Sequence, residues 1–281
     1  GQSSVMFTVY TAGGCLSLQR PFDPAGLLRM AADQQLTAVT GVPTMWNAML
    51  HADTDVTPQE LTSLRLACSG GAALPLEVAK AFRERFGAVV LDGYGLSETA
   101  GAATFNRADL PRKEMSVGRA LPGGALAIFD DDRDQLPPGE TGEVAIAGPY
   151  VMSGYWQRPD ATAAVFEGEW FLTGDIGRMD EDGDLWIVDR KKDLVIRGGY
   201  NVYPREVEEV LYGHSDVLEV AVFGVPHEQW GEAVVAVLLG AFGASRESAA
   251  VVEPTAVTMP DLPAPEGIEP FPYIAGATPD F

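Results

Sequence analysis

The sequence predicts an α/β chain: part of a parallel-sheet subdomain, a small antiparallel β-barrel-like subdomain, and an incomplete α+β C-terminal domain. In residues 1–114, apolar runs of strand length alternate with amphipathic helical stretches, the pattern of a parallel sheet with crossover helices. Residues 115–190 turn to short runs of alternating polarity between glycines and prolines, as antiparallel strands do. A basic knot of Arg190, Lys191 and Lys192 then leads into residues 191–240, where strand-like runs flank a helix opened by Pro204. Residues 241–281 are rich in Pro, Ala, Glu and Gly, show no periodicity, and read as a divergent, disordered tail.

Each element has its own signal. Leu27, Leu28, Met30 and Ala31 fall at helical spacing in FDPAGLLRMAADQQ, with Pro24 in the first turn, which predicts a helix over 22–34. A strand at 38–40, a turn at GVP and a helix over 43–51 follow, with Met45 and Trp46 read as core. Residues 64–68 read as a strand, SGGAA at 69–73 as its glycine-rich exit, and PLEVAKAFRERF at 75–86 as a helix begun by proline. The run AVVL at 88–91 is a further strand, and the stretch DGYGLSET follows it directly. Later strands are expected at 125–129, 143–147, 217–223 and 233–239, with a hairpin over 177–188 turning at DEDG and a short helix at 160–166.

Composition narrows the function classes. At 281 residues and 46% hydrophobic, the chain can bury a sizeable core. Its formal net charge of -21 argues against nucleic acid, which is held through basic clusters, and no run is long and apolar enough to span a bilayer. Cys15 and Cys68 fit neither a disulfide framework nor a metal spacing, and read as buried thiols in a reducing, cytoplasmic compartment.

The stretch DGYGLSET is the centre of the functional reading. Gly93 and Gly95 are expected to bracket Tyr94 just past a strand end, where open α/β sheets keep their ligands. A ring face on Tyr94, a hydroxyl on Ser97 and a carboxylate on Glu98 suit a purine, a phosphate and a hard cation. A glycine-rich turn with Ser97 capping a helix is the alternative for these eight residues taken alone. SGGAA and DGYGLSET at two neighbouring strand ends favour a ligand more than either does by itself. Asp175, in WFLTGD, reads as an exposed loop residue, a turn former or a holder of ribose hydroxyls. The forked, always charged Arg190 suits ribose or phosphate oxygens, or else a surface salt bridge.

Taken in order, SGGAALP, DGYGLSET, GEVAIAGPYVMSGYW, WFLTGD and DRKKDLVIRGGYNVYPREVEEVL resemble the adenylate-forming acyl-CoA synthetases. The last is most similar to bacterial long-chain fatty acid CoA ligases, and the resemblance covers residues 1–240. It implies ATP, Mg2+ and CoA as substrates and cofactor, with a small-molecule carboxylic acid as the partner. The carboxylate attacks the α-phosphate of ATP to give acyl-AMP and pyrophosphate, and the CoA thiol then displaces AMP. It further implies that Gly70, Gly71 and Ala72 lie along the adenine and acyl carbonyl, with Asp92, Gly93, Tyr94 and Gly95 also on the nucleotide. Ser97 would meet the α-phosphate, Glu98 the magnesium, Asp175 the ribose diol, and Arg190 the ribose or a phosphate. Lys192 falls at the hinge, Gly198, Gly199 and Tyr200 at the loop toward the CoA channel, and Val42 and Pro43 at the acyl pocket.

Two of the family's parts have no counterpart here: a glycine-rich, lysine-ended phosphate loop, and a lysine near the C-terminus, since the lysines are Lys80, Lys113, Lys191 and Lys192. The expectation is a chain incomplete at both ends, binding an adenylate weakly and forming no acyl-AMP by itself, with self-association through an exposed sheet. Thioester formation from supplied acyl-AMP leans less on either part. The competing classes are a non-catalytic adenylate-binding or interaction module, an aryl-CoA ligase, and a peptide-synthetase adenylation domain.

Overall fold

In the computed structural model the described residues are 2–240, other than 108, 215 and 229. The expected tail at 241–281 lies outside them. A π-helical turn Gln2–Phe7 runs into α1 (Thr8–Thr11), and α2 (Pro24–Asp33) follows. Next come β1 (Ala38–Gly41), α3 (Pro43–Leu50), β2 (Leu66–Ser69), α4 (Leu76–Phe86) and β3 (Val90–Tyr94). Pro24 and Pro43 each take the first helical turn, where the missing N–H costs nothing. Strands β1, β2 and β3 pair in parallel, so the exits after β1, β2 and β3 lie side by side at one edge.

This sheet is covered by α2, α3 and α4. Trp46, Met49, Phe82 and Phe86 are fully buried against Val39, Ala67 and Val90 from the strands. Trp46 meets Phe82 edge to face at 5.2 Å, and Phe82 meets Phe86 at 4.9 Å. Trp46 is therefore core, as the sequence suggests. The thiols divide: Cys68 is buried within β2, whereas Cys15, expected to be buried, is exposed in the irregular stretch between α1 and α2.

Strand β3 does not stop at Leu91. It continues through Tyr94 because β4 (Thr104–Phe105) folds back antiparallel on it, Gly93 opposite Phe105 and Tyr94 opposite Thr104. The glycines serve that close return. A Cβ at Gly93 would lie 2.5 Å from the Phe105 ring, and one at Gly95 would lie 2.5 Å from the Ala102 backbone. Tyr94 thus sits inside the strand, and the 3-10 turn Ser97–Thr99 follows. That turn is capped by the Thr99 hydroxyl, which accepts the Leu96 N–H at 2.9 Å, and not by Ser97. Strand β5 (Arg119–Ala120) completes the first sheet.

The second sheet is antiparallel. It comprises β6 (Ala125–Phe129), β7 (Thr141–Ala147) and, after the short helix α5 (Pro159–Ala164), β8 (Phe166–Glu167), β9 (Trp170–Met179) and β10 (Leu185–Arg190). Its order is β10-β9-β7-β6, with β8 on β9. The turn between β9 and β10 gathers Asp180, Asp182 and Asp184 around the Lys113 ammonium at 2.5, 2.7 and 3.2 Å. These three carboxylates thereby already hold a cation of the chain itself.

The third sheet contains β11 (Val195–Arg197) and β12 (Tyr200–Val202), then, beyond α6 (Pro204–Tyr212), β13 (Val217–His227) and β14 (Gly231–Gly240), in the order β12-β11-β14-β13. Helix α6 ties this sheet to the other two. Arg205 donates to the Ile187 carbonyl at 2.6 Å, and its N–H donates to Asp189 at 3.1 Å. The charges of Arg205 and Glu209 act on Asp92, which is buried in β3 and whose Oδ1 has no hydrogen-bond partner among the described residues.

Two stability predictions follow from this packing. Phe82→Ala should cost about 3–5 kcal/mol in denaturant titration, since it empties the centre of the aromatic core. Burial pushes the Asp92 carboxyl from 3.8 up to about 7, with Arg112 and Arg205 offsetting it only in part. Between those two values the folded chain keeps a proton that the unfolded chain has lost, so Asp92 makes stability fall as pH rises through that window. Asp92→Asn removes the titration: its stability relative to wild type should climb across the window by on the order of 4 kcal/mol and level off above it. A constant difference from pH 4 to pH 8 would contradict this.

Candidate functional site

Strand pairing brings Asp175 and Arg190 together. They face each other in the β9/β10 ladder, and Arg190 Nε lies 3.2 Å from Asp175 Oδ1. Asp175 is not an exposed loop residue as the sequence suggests; it lies within β9 and is only 4% exposed. From the first sheet, the Tyr94 hydroxyl donates to Asp175 Oδ2 at 2.5 Å. Two consecutive strands of the second sheet and a residue of β3 that lies 81 positions earlier in the chain therefore meet at one buried carboxylate.

Electrostatics follow from that burial. Desolvation raises the Asp175 carboxyl above its usual range, opposed by the Tyr94 hydrogen bond and by Arg190. The Tyr94 phenol is pushed far up, first by burial and then by the adjacent Asp175 charge, so it stays a neutral donor. Just before Asp175 the backbone is braced: the Thr173 hydroxyl donates to the Val144 carbonyl at 2.8 Å and accepts the Asp175 N–H at 3.1 Å.

Glu98 opens on a cleft of about 410 Å³ whose walls include Leu96, Tyr155, Thr173, Gly174, Glu143 and Lys191. Its backbone carbonyl accepts the Met152 N–H at 2.7 Å, and its carboxylate Oε1 accepts the Tyr155 hydroxyl at 3.0 Å. Burial and then the contact with Glu98 raise the Tyr155 phenol, which keeps it a donor. Across the cleft, Glu143 accepts the Gly174 N–H at 2.9 Å and pairs with Lys191 at 3.2 Å. Lys191 in turn donates its N–H to the Gly174 carbonyl at 2.8 Å. The residues flanking Asp175 and Arg190 in sequence therefore line the cleft that holds Glu98. A hard cation takes oxygen ligands, and the Glu98 carboxylate supplies one at this cleft, so the donor chemistry fits magnesium. Ser97 is exposed beside it.

The remaining predicted residues fall into two groups. Val42 and Pro43 start α3, and a Cβ at Gly71 would lie 3.8 Å from Val42 Cγ1, while one at Gly70 would lie 3.6 Å from the Gly93 carbonyl oxygen. Val42, Gly70, Gly71 and Gly93 thus line one edge of the first sheet, with Ala72 in the exposed loop following Gly71. Asp92 lies directly before Gly93 in β3, under the influence of α6. Lys192 is exposed in the turn between the second and third sheets. Gly198 and Gly199 form the tip of the β11/β12 hairpin, where the Gly198 N–H donates to the Trp230 carbonyl at 2.8 Å, and Tyr200 is exposed beside them. Sequence reasoning did not single out Tyr155, Glu143 or Lys191. Tyr155 lies in a quoted motif, GPYVMSGYW, and Lys191 in the basic knot, but the contacts that matter are made across the fold.

Comparison with known proteins identifies the family. The family model described as AMP-binding enzyme matches residues 1–156, and that of the AMP-binding enzyme C-terminal domain matches 206–271. A long-chain-fatty-acid--CoA ligase of Salmonella typhimurium is 43% identical over 79% of this chain and 39% of its own length. A feruloyl-CoA synthase of Amycolatopsis is 41% identical over 82% of this chain and 47% of its own. The chain thus spans about two fifths to one half of the length of these curated relatives. Among solved structures, ATP-bound MatB from Rhodopseudomonas palustris superposes with a TM-score of 0.77 at 38% identity, covering 83% of this chain and 46% of that one. The o-succinylbenzoate CoA synthetase of Bacillus subtilis, in complex with its acyl-adenylate intermediate, gives 0.75 at 32% identity, covering 86% and 49%. With over half its length matched by the first of those models, the chain belongs to the AMP-binding enzyme family.

Proposed function

We propose that this chain carries the nucleotide-holding part of an ATP-dependent acid–CoA ligase whose carboxylic acid is a fatty acid. The convergence of Tyr94, Asp175 and Arg190 on one point is the observation that carries the reading. Asp175 offers carboxylate oxygens to a ribose diol, Arg190 adds a forked cation beside it, and Tyr94 presents a ring next to the glycine edge where an adenine would lie. Ser97 and Glu98 face the phosphates, and Glu98 would hold a magnesium ion that neutralises charge spreading onto the phosphoryl oxygens. The edge formed by Val42, Gly70 and Gly71 leaves room for the acyl carbonyl.

Lys192, exposed between the second and third sheets, is the hinge about which the third sheet and α6 would turn between half-reactions. Gly198, Gly199 and Tyr200 would then face the CoA channel. The fatty acid assignment draws on the ligase of Salmonella typhimurium, and the feruloyl-CoA synthase of Amycolatopsis supports an aryl acid as the second reading. Among the described residues, no helix is long and apolar enough to cross a membrane. A cytoplasmic setting, suggested by the free thiols Cys15 and Cys68, belongs to the same proposal.

AMP binding by equilibrium dialysis tests the site. Asp175→Ala should weaken binding by about tenfold or more, through loss of a charge-assisted contact. Equal binding by the variant would refute the ribose role. For the chemistry, the chain supplied with fatty acyl-AMP and CoA should yield thioester; no thioester from the supplied adenylate would overturn the assignment. Strand β1 has a free edge among the described residues, and sedimentation at rising concentration should show association, which a monomer throughout would rule out.

A further inference from the structure

The segment GPYVMSGYW, residues 148–156, grips Glu98 twice. Its Met152 N–H holds the Glu98 backbone carbonyl at 2.7 Å, and its Tyr155 hydroxyl holds Oε1 of the same residue at 3.0 Å. The segment is itself fastened. The Tyr155 N–H donates to the Thr162 hydroxyl at 2.9 Å, that hydroxyl donates to the Arg158 carbonyl at 2.9 Å, and the Arg158 N–H returns to the Tyr155 carbonyl at 3.1 Å. Gly154, at φ +148, lets Thr162 approach to within 2.8 Å of where a Cβ would stand, so the backbone before Tyr155 is pinned as well.

The chemistry of the contact matters as much as its rigidity. A carboxylate has two oxygens, and Tyr155 takes Oε1, while no hydrogen bond or ion pair to Oε2 is formed among the described residues. A neutral hydroxyl orients the group without cancelling its charge, as a lysine or arginine would. Partners of this kind commonly fix the ligands of metal ions in the orientation that binding needs.

We propose that Tyr155 is a positioning residue for Glu98, holding Oε1 so that Oε2 is presented to the divalent cation that accompanies the nucleotide. The proposal rests on the reading of Glu98 as the cation ligand. Its test uses the whole chain with Mn2+ as the probe and ATP present, the ion retained with the chain after ultrafiltration, which passes free Mn2+ and Mn-ATP, being measured by electron paramagnetic resonance, and AMP binding without metal being measured in parallel. Tyr155→Phe should weaken Mn2+ retention by about tenfold or more while leaving metal-free AMP affinity unchanged. Glu98→Gln should lose the retention, and the double variant should be no weaker than Glu98→Gln alone, because Tyr155 acts through Glu98. Mn2+ retention by Tyr155→Phe equal to wild type, an equal loss of AMP affinity, or an additive double variant would each overturn the positioning role. Absence of Mn2+ retention in wild type with ATP would overturn the cation reading of Glu98 and this inference together.

Discussion

A carboxylate taken out of water has to be answered by fixed partners, and the pairing of β9 with β10 answers Asp175. The ladder sets Arg190 opposite it, and the return of β4 onto β3 carries Tyr94 to its other oxygen. Because side chains alternate along a strand, a slip of one residue in the β9/β10 register would turn Arg190 to the opposite face and leave the burial of Asp175 half compensated. The register is fixed at the hairpin end. There Asp180 accepts the N–H groups of Asp182 and Asp184, and Lys113 ties the turn to the loop between β4 and β5 of the first sheet. The site is thus set by a turn that takes no part in it.

The cleft beside this cluster is organised on the same principle. Glu143, from β7, bridges the Gly174 backbone and the Lys191 ammonium, so the residues next to Asp175 and Arg190 are held by a second charged pair. Glu98 enters from the first sheet and is caught by the segment before α5. Each side of the cleft therefore comes from a different sheet, and its shape depends on how the first and second sheets pack through Val117, Ile146 and Leu185.

Much of this was legible in the sequence because periodicity and punctuation are local. The helices opened by Pro24, Pro43 and Pro204 and the hairpin turning at DEDG lie where their residues said they would. The errors share a cause. Ending β3 at Leu91 followed from treating Gly93 as a break, when the glycine is there to let Phe105 close against the strand. Placing Asp175 in an exposed loop followed from the turn chemistry of Thr, Gly and Asp, which a ten-residue strand with partners on both sides overrides. The apolar neighbours of Cys15 suggest burial, but the residue lies exposed in an irregular stretch. Tyr155 and Glu143 could not be read at all, since their partners lie far away in the chain and only tertiary contact reveals them.

The seat of α6 has one more consequence. Burial raises the Asp92 carboxyl toward neutrality, and Arg205 and Glu209 of α6 belong to its surroundings. Any displacement of that helix that admits water would return the carboxyl toward ordinary acidity and release the proton to solvent. Near neutral pH, the position of α6 and the number of bound hydrogen ions are therefore coupled quantities, so buffer acidity acts as a weak lever on the docking of the third sheet.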